Sequence, residues 1–273
     1  MSIKSKVCVL ALAAMWIGAV AQDAEKVETS EERSWLPSLE ISIDHTSKYM
    51  SEGFVGNPDP IDTIGVTLGY DITDSLSVHV SGTAIIDETD ACGNRHDVEE
   101  WDWAAGVTWT TPELGKLGKL ELTLDHIYYN YPHDGAHTHD VDTKEYEIDV
   151  NAVDVFLSPG IVFVHDYEND VIKANVNVTF EYDLEKILEN LSFECPLEIW
   201  FGNHRYTGCT SHSAVYSVCI QPTLTYAIND NISIGTYVQM GYGLDSRVRR
   251  AWKADGDNNV FNACWGVNLG VEF

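Results

Sequence analysis

The C-terminal stretch Phe261-Asn-Ala-Cys-Trp-Gly-Val-Asn-Leu-Gly-Val-Glu-Phe273 decides the fold. Apolar residues occupy every second position, and Asn, Cys, Gly and Glu stand between them. Because successive side chains of a β-strand point to opposite faces, this alternation predicts a strand with one apolar and one polar face.

The same alternation recurs upstream, for example over residues 101–109, 120–124 and 172–182. Counting such segments predicts about twelve antiparallel strands. They lie near residues 39–50, 61–71, 75–87, 100–111, 119–131, 144–156, 160–168, 171–183, 192–205, 213–228, 232–244 and 259–273.

The connections between these strands alternate in length. Those at 72–74, 112–118, 157–159, 184–191 and 229–231 are mostly short, whereas those at 51–60, 88–99, 132–143, 206–212 and 245–258 are mostly long. Short periplasmic turns on one rim and longer extracellular loops on the other are typical of outer-membrane barrels. The pattern therefore predicts an all-β, antiparallel transmembrane β-barrel.

A soluble β-sandwich or a lipocalin-like barrel would alternate in the same way, but with its apolar face inward. Two features favour the outward direction. The polar face carries many small residues, and aromatic residues stand at strand ends, where the membrane interfaces would lie. The small residues are Gly65, Gly69, Ser77, Ser81, Gly235 and Gly241.

The N-terminus has the features of an export signal. Lys4 and Lys6 precede an apolar run that ends in Ala19-Val-Ala21, which predicts a signal peptide over 1–21 rather than a membrane anchor. We expect 22–37 to be an acidic periplasmic leader and 38–273 to be the barrel, placed in the cell outer membrane of a Gram-negative organism.

Charge limits the partners of the chain. The sequence has 43 acidic and 16 basic residues and a formal net charge of −27, and loss of Lys4 and Lys6 with the signal peptide makes the charge more negative. Such a chain should not bind nucleic acid. The expected partners are cations and other small solutes, outer-membrane lipid, and lipopolysaccharide bound through bridging divalent ions. No cofactor is predicted.

Three short motifs carry a family resemblance. Ser47-Lys-Tyr-Met-Ser-Glu-Gly53 resembles the S-x-Y-x-x-R-G motif of a family of small outer-membrane porins. Phe156-Leu-Ser-Pro159, followed by His165-Asp-Tyr167, is similar to the family's L-x-P hairpin. The family pattern has Arg where this chain has Glu52, which leaves any role of that arginine in doubt.

The resemblance implies a channel and an assembly route. The last strand is similar to the C-terminal signal with which such proteins engage the barrel-assembly machinery. The residues of this signal are Trp265, Val267, Leu269, Val271 and Phe273.

The polar strand faces carry many acids. If these faces line the lumen, Lys48 and Lys173 are the clearest bases among them, and a negative lumen favours cations. The predicted lining acids are Glu40, Asp44, Asp71, Asp102, Glu121, Asp125, Glu147, Asp149, Glu181, Glu194 and Glu198. A solvated or plugged interior is the alternative.

Two loops hold further candidates. Arg247, Arg249, Arg250 and Lys253 would form a constriction if folded inward, or bind lipopolysaccharide phosphates if folded outward; a solvated loop without either role is the alternative. His133, His137 and His139 have a spacing at which imidazoles bind transition metals, although such loops more often bind metal only opportunistically.

Catalysis has little support in the sequence. Asp125 and His126 are neighbours, and so are His165 and Asp166, which places each pair on opposite faces of a strand. His79 shares a face with nearby serines but has no evident orienting group. We therefore predict a diffusion channel rather than an enzyme, with a non-conducting structural or adhesion barrel and an outer-membrane hydrolase as alternatives.

The cysteines give few constraints. Cys219 and Cys264 should face the lumen, two strands apart and beyond disulfide reach. Cys195 should face lipid, and only the loop residues Cys92 and Cys209 are candidates to pair.

Overall fold

The computed structural model describes residues 36–87, 98–115, 118–131, 142–205, 213–249 and 260–273. The strands are β1 (Ser38–Thr46), β2 (Tyr49–Ser51), β3 (Phe54–Asn57), β4 (Ile61–Thr73), β5 (Leu76–Asp87), β6 (Val98–Thr110), β7 (Lys119–Asn130), β8 (Thr143–Val153), β9 (Gly160–Asp166), β10 (Val171–Asp183), β11 (Leu191–Gly202), β12 (Ala214–Ile220), β13 (Thr223–Asn229), β14 (Ile232–Gly243) and β15 (Phe261–Glu272). None of the described helical segments has the length and apolar character needed to cross a bilayer.

The sheet closes on itself as a barrel of 12 antiparallel strands. From β4 to β11 each strand pairs with the next one along the chain, and β1 pairs with both β4 and β15. β12 and β13 occupy one place in the wall, since both pair with β11 on one side and β14 on the other. The break between them falls at Pro222, which has no N–H to donate to a neighbouring strand.

The apolar faces of the strands point outward. Val80, Trp103 and Trp265, each on an apolar face, expose 52%, 54% and 52% of their surface. Cross-strand contacts place polar residues inside, as where the Tyr237 hydroxyl donates to Asp44 Oδ1 at 2.8 Å. The outward direction is thus confirmed, and the soluble alternatives with an inward apolar face do not describe this protein.

The rim with short turns is confirmed as well. β4 and β5 are joined by a tight turn, as are β13 and β14. The turn between β10 and β11 contains one helical hydrogen bond, from the Leu188 N–H to the Leu184 carbonyl. On the opposite rim, β9 and β10 are joined by an equally short connection at 167–170, so that rim is not uniformly long-looped.

The prediction of one strand over 39–50 followed by an outer loop over 51–60 is wrong. β1 ends at Thr46, whose hydroxyl donates to the carbonyls of Lys48 and Trp265. The chain then forms the hairpin β2–β3, a sheet separate from the barrel wall. The alternation of apolar and polar residues continues through residue 50, past the end of β1 and into the hairpin. The sequence pattern therefore does not distinguish a wall strand from a hairpin strand.

The last strand closes the barrel as predicted. β15 pairs with β1 and β14, and Leu39 and Phe273 exchange two backbone hydrogen bonds. Trp265 and Val267 are exposed on the outward face, and Leu269 and Val271 follow in the same phase. Recognition of this segment by the assembly machinery remains a prediction.

This geometry predicts a face-specific effect on insertion. Val267→Asp combined with Leu269→Asp puts two carboxylates on the lipid face, each costing somewhat less than the roughly 2–4 kcal/mol of Lys or Arg at membrane depth. Folding into lipid vesicles, followed by heat-modifiable migration on gels, should fail for this variant. Asn268→Asp changes the residue between them on the lumen face and should still fold, with only a small cost from the new carboxylate opposite Asp44. Equal folding of both variants would contradict the assignment of faces.

Candidate functional site: an acidic wall and an inward hairpin

The predicted lining acids all lie in the inward phase of their strands. Cross-strand register groups them, with Asp125 opposite Glu147 and Glu181 opposite Glu194. All eleven retain at least partial solvent exposure, although one carboxylate oxygen in each of Asp102, Asp125 and Asp149 is buried. Two further acids, Glu100 and Glu145, share the inward phase but are buried, and they do not belong to the predicted lining.

The acids are concentrated on β6, β7 and β8. Asp125 of β7 and Glu147 of β8 are directly opposed, and Asp149 lies on the same wall. The charges of neighbouring carboxylates act on both Glu147 and Asp149. Like charges directly opposite each other destabilise a sheet. Such a wall therefore opposes folding slightly, and its cost has to be offset by the rest of the barrel.

A histidine lies beside this wall. The His79 Nε2 atom is 2.8 Å from Asp125 Oδ1, and the two side chains meet across Gly106, where a Cβ would collide with both. Asp125 is thus an acid in contact with His79, which the sequence pattern does not predict, although its Oδ1 atom makes no hydrogen bond of good geometry. A hydrolytic triad also needs a nucleophile hydrogen-bonded to the imidazole, and among the described residues Asp125 is the only polar partner of His79.

The connection between β1 and β4 enters the lumen. It turns at Glu52 and Gly53, whose φ angles are +52° and +87°. The Lys173 Nζ atom, on β10, lies 3.1 Å from Glu52 Oε1 and 3.2 Å from Glu145 Oε1 on β8. β10 stands on the far side of the strand order from β1, so the hairpin tip reaches across the interior. We call these three charged residues the lumen triad.

A β-bulge in β12 provides two further contacts with the tip. The register between β11 and β12 shifts at Trp200, which leaves Tyr216 as the extra residue. Bulges re-aim side chains, and here both Tyr216 and Ser217 are fully buried. The Tyr216 hydroxyl donates to Glu52 Oε2, and the Ser217 hydroxyl donates to the Glu52 carbonyl.

Two glycines let the hairpin approach the wall closely. A Cβ at Gly241 of β14 would collide with backbone atoms of Gly53, and one at Gly53 would lie 2.9 Å from Cys219 Sγ. The Asn262 side-chain amide donates to the Gly53 carbonyl at 3.1 Å. Gly53 also has a φ at which an L side chain costs about 1–2 kcal/mol. Both the lack of space and the backbone conformation therefore favour glycine at this position.

Apolar contacts complete the surface of the barrel interior on which the hairpin rests, which we call its seat. Phe54 stacks on Tyr216 with ring centroids 6.0 Å apart, and Val248 joins them in a fully buried cluster. On the other side, Met50 and Val55 pack against Cys264. Burial of this kind contributes roughly 1.5–3 kcal/mol for each large side chain, so the hairpin is held by packing as well as by charge.

The lumen triad is buried. The side chains of Lys173, Glu52 and Glu145 expose 14%, 8% and 9% of their surface. Removing one partner from a buried ion pair costs roughly 3–5 kcal/mol, because a charge is left without compensation. One ammonium between two carboxylates also leaves the triad with a net negative charge.

The basic loop is only partly within the described residues. Arg247 is exposed and its guanidinium lies 3.3 Å from Asp245 Oδ2, while the Arg249 stem lies against Gly243. Although partial burial opposes it, hydrogen bonds from Arg247 and the Val248 N–H lower the pKa of Asp245 to about 2. The apolar Val248 of this loop packs against Phe54 of the hairpin.

Several predicted sites lie outside the described residues: Arg250, Lys253, His133, His137, His139, Cys92 and Cys209. Cys219 and Cys264 lie on inward faces, and Cys195 shares the outward phase of Leu197. All three are free thiols.

The chain matches no family model and no curated protein. Among solved structures, the KdgM porin has 10% identity and a TM-score of 0.47, with 86% of this chain and 99% of that one covered. Outer membrane phospholipase A from Escherichia coli has 9% identity and a TM-score of 0.48, with 86% and 92% covered. The Salmonella typhi OmpF complex with daunomycin has 10% identity and a TM-score of 0.36, with 86% and 97% covered.

These likenesses concern the fold alone. A closed barrel with an apolar outward face is the architecture of outer-membrane proteins, and the protein lies in the cell outer membrane.

The close approach at Gly241 predicts a stability difference. Gly241→Ala places a methyl group inside the backbone of Gly53, so the hairpin has to shift and the protein should lose roughly 1–3 kcal/mol. Gly235→Ala on the same strand and face is the control, because the atoms nearest to its methyl group belong to the Asn268 side chain, which can rotate away. Urea unfolding in lipid vesicles measures both, and equal midpoints would show that the hairpin does not rest on β14.

Proposed function

We propose that this protein is a porin-like channel for passive diffusion of small hydrophilic solutes, with a preference for cations. The observation that carries the proposal is the set of eleven water-accessible carboxylates on the inward strand faces. The lysine on the wall opposite the hairpin, Lys173, does not offset them, because two further carboxylates neutralise it.

The preference follows from electrostatics in a confined space. Carboxylates that line a narrow, low-dielectric tube raise the local concentration of cations and lower that of anions. Asp102, Asp125 and Asp149 belong to one wall of the barrel, and each retains some exposure to water. A permeating potassium ion would therefore meet several carboxylates in succession, whereas a chloride ion would be repelled.

Two other functions account for the same fold. A non-conducting structural or adhesion barrel would use the acidic loops to bind a partner, and it would give no channels. An outer-membrane hydrolase would use His79 with Asp125 as an oriented base, and it would turn over lipid or peptide substrates. The water-accessible acidic lining favours the channel over both, because neither alternative requires it.

Two partner interactions belong to the same proposal. Arg247 is exposed at the rim of the long loops, where a guanidinium can bind the phosphates of lipopolysaccharide bidentately. The last strand, with its terminal aromatic residue, would engage the barrel-assembly machinery.

Planar-bilayer recording of the refolded protein tests the channel and its preference. Under a potassium chloride gradient, the reversal potential should show that potassium permeates better than chloride. The preference should fade as salt rises, because the Debye length falls from about 10 Å at 0.1 M to about 3 Å at 1 M. Replacing Asp102, Glu121 and Asp125 by Asn, Gln and Asn should weaken it.

A matched control changes acids that lie outside the lumen. Asp74 is in the turn between β4 and β5, and Asp154 is in the turn after β8; their replacement by Asn removes charge but should leave the reversal potential unchanged. A neutral or anion-favouring reversal potential in the conducting wild type would refute the cation preference. Absence of channels would refute the channel itself.

A further inference from the structure

We propose that the hairpin β2–β3 is a fixed constriction of the lumen and that Lys173 is the positioning residue that holds its tip at the far wall. This inference rests on the proposed channel function. It assigns to one buried lysine a role that the acidic lining alone does not explain.

The first argument is the placement of Lys173. Its ammonium contacts carboxylates from two different elements, Glu52 of the hairpin and Glu145 of β8, while the lysine itself belongs to β10. A buried ammonium needs such partners, so the favourable arrangement of the charge requires the hairpin to be in place.

The second argument is the geometry of the tip on the nearer wall. Glu52 and Gly53 are fixed by Tyr216 and Ser217 of β12 and by Asn262 of β15. Together with Lys173 these contacts hold the tip along the arc of the wall from β10 to β15, and on the other side of the interior the Asn57 amide of the hairpin donates to Asp87 Oδ2 of β5 at 3.4 Å. A segment held in this way narrows the space through which a solute passes.

The third argument is the difference in polarity between two parts of the barrel interior. Phe54 packs with Tyr216 and Val248 against the β11–β12 side of the barrel, which fills that part of the interior with apolar side chains. The faces of β4 to β7 instead carry glycine, serine, threonine and acids, such as Gly65, Ser81 and Asp125. The hairpin also contacts this wall, because Tyr49 lies close enough to Glu100 and Asp102 for their charges to act on its hydroxyl, so a hydrophilic solute that passes the hairpin is bordered by carboxylates.

The first experiment releases the hairpin tip and measures single-channel conductance. Lys173→Met removes the ammonium that contacts Glu52 and should raise single-channel conductance by roughly twofold or more, since conductance follows pore diameter. Glu52→Gln removes the other half of the contact with less disturbance of the wall and should act in the same direction. Wild-type conductance in both variants, or in the one that folds, would overturn the proposal.

A disulfide separates positioning from charge. A Cβ at residue 53 lies 2.9 Å from Cys219 Sγ, so a cysteine there has a sulfur within bonding range after a small side-chain rotation. In the double variant Lys173→Met, Gly53→Cys, diamide takes up the two electrons and two protons of the thiols and the bond re-seats the tip without Lys173. Conductance should return to the wild-type level and rise again in dithiothreitol.

The control is Lys173→Met, Gly53→Ala, which has the same backbone strain and no thiol; its conductance should stay high under diamide. If mass spectrometry shows the 53–219 disulfide and conductance nevertheless remains high, Lys173 acts through its charge and the proposal is wrong. If the disulfide does not form, the hairpin tip does not lie at Cys219, and the proposal fails as well. Absence of channels in the wild type is a different result, because it refutes the channel function while disulfide formation still reports on the seat of the hairpin.

Discussion

The pairing of β1 with β15 is the constraint on which the rest of the structure depends. In a bilayer, every backbone N–H and C=O has to be satisfied within the protein, so a membrane-spanning sheet has to close. The exchange of hydrogen bonds between Leu39 and Phe273 completes that closure at one rim. Once closed, the barrel has an outside that only apolar side chains suit and an inside that has to accommodate the polar ones.

The inside is not uniform. One side is filled by the hairpin and its apolar seat around Phe54 and Tyr216, and the other is lined by small polar residues and acids. The lumen triad lies where the two sides meet, with Lys173 shared between Glu52 and Glu145. Lys173 thus brings one positive charge to two carboxylates, one on the hairpin and one on the acidic wall, which links the position of the hairpin to the charge of the channel.

The faces of the strands could be predicted from the sequence because the side-chain period of a strand is two and a membrane barrel needs opposite polarity on its two faces. The eleven inward acids and the outward C-terminal residues follow from that rule. Long-range contacts between side chains do not follow from the period-two rule. The contact of His79 with Asp125 depends on how β5, β6 and β7 are aligned, and a one-residue slip in register would abolish it.

The hairpin was not predictable for a related reason. The residues around Tyr49 alternate as those of a wall strand do, and only the three-dimensional course of the chain shows that they leave the wall. Likewise, the bulge at Tyr216 breaks the alternation by one residue, which the sequence gives no means of placing. The only hint was Glu52, an acid where the resembling porins have arginine; Lys173 on the opposite wall supplies the complementary charge for that acid.

The most direct test of this account is solid-state NMR of the refolded protein in lipid bilayers, with nitrogen-15 in the lysine side chains and carbon-13 in the glutamates. The structure places Lys173 Nζ 3.1 Å from Glu52 Oε1 and 3.2 Å from Glu145 Oε1. We expect through-space cross-peaks from this ammonium nitrogen to the carboxyl carbons of both glutamates. A Lys173 ammonium that shows contacts only with water would contradict the account, since the hairpin tip would then lie away from the far wall.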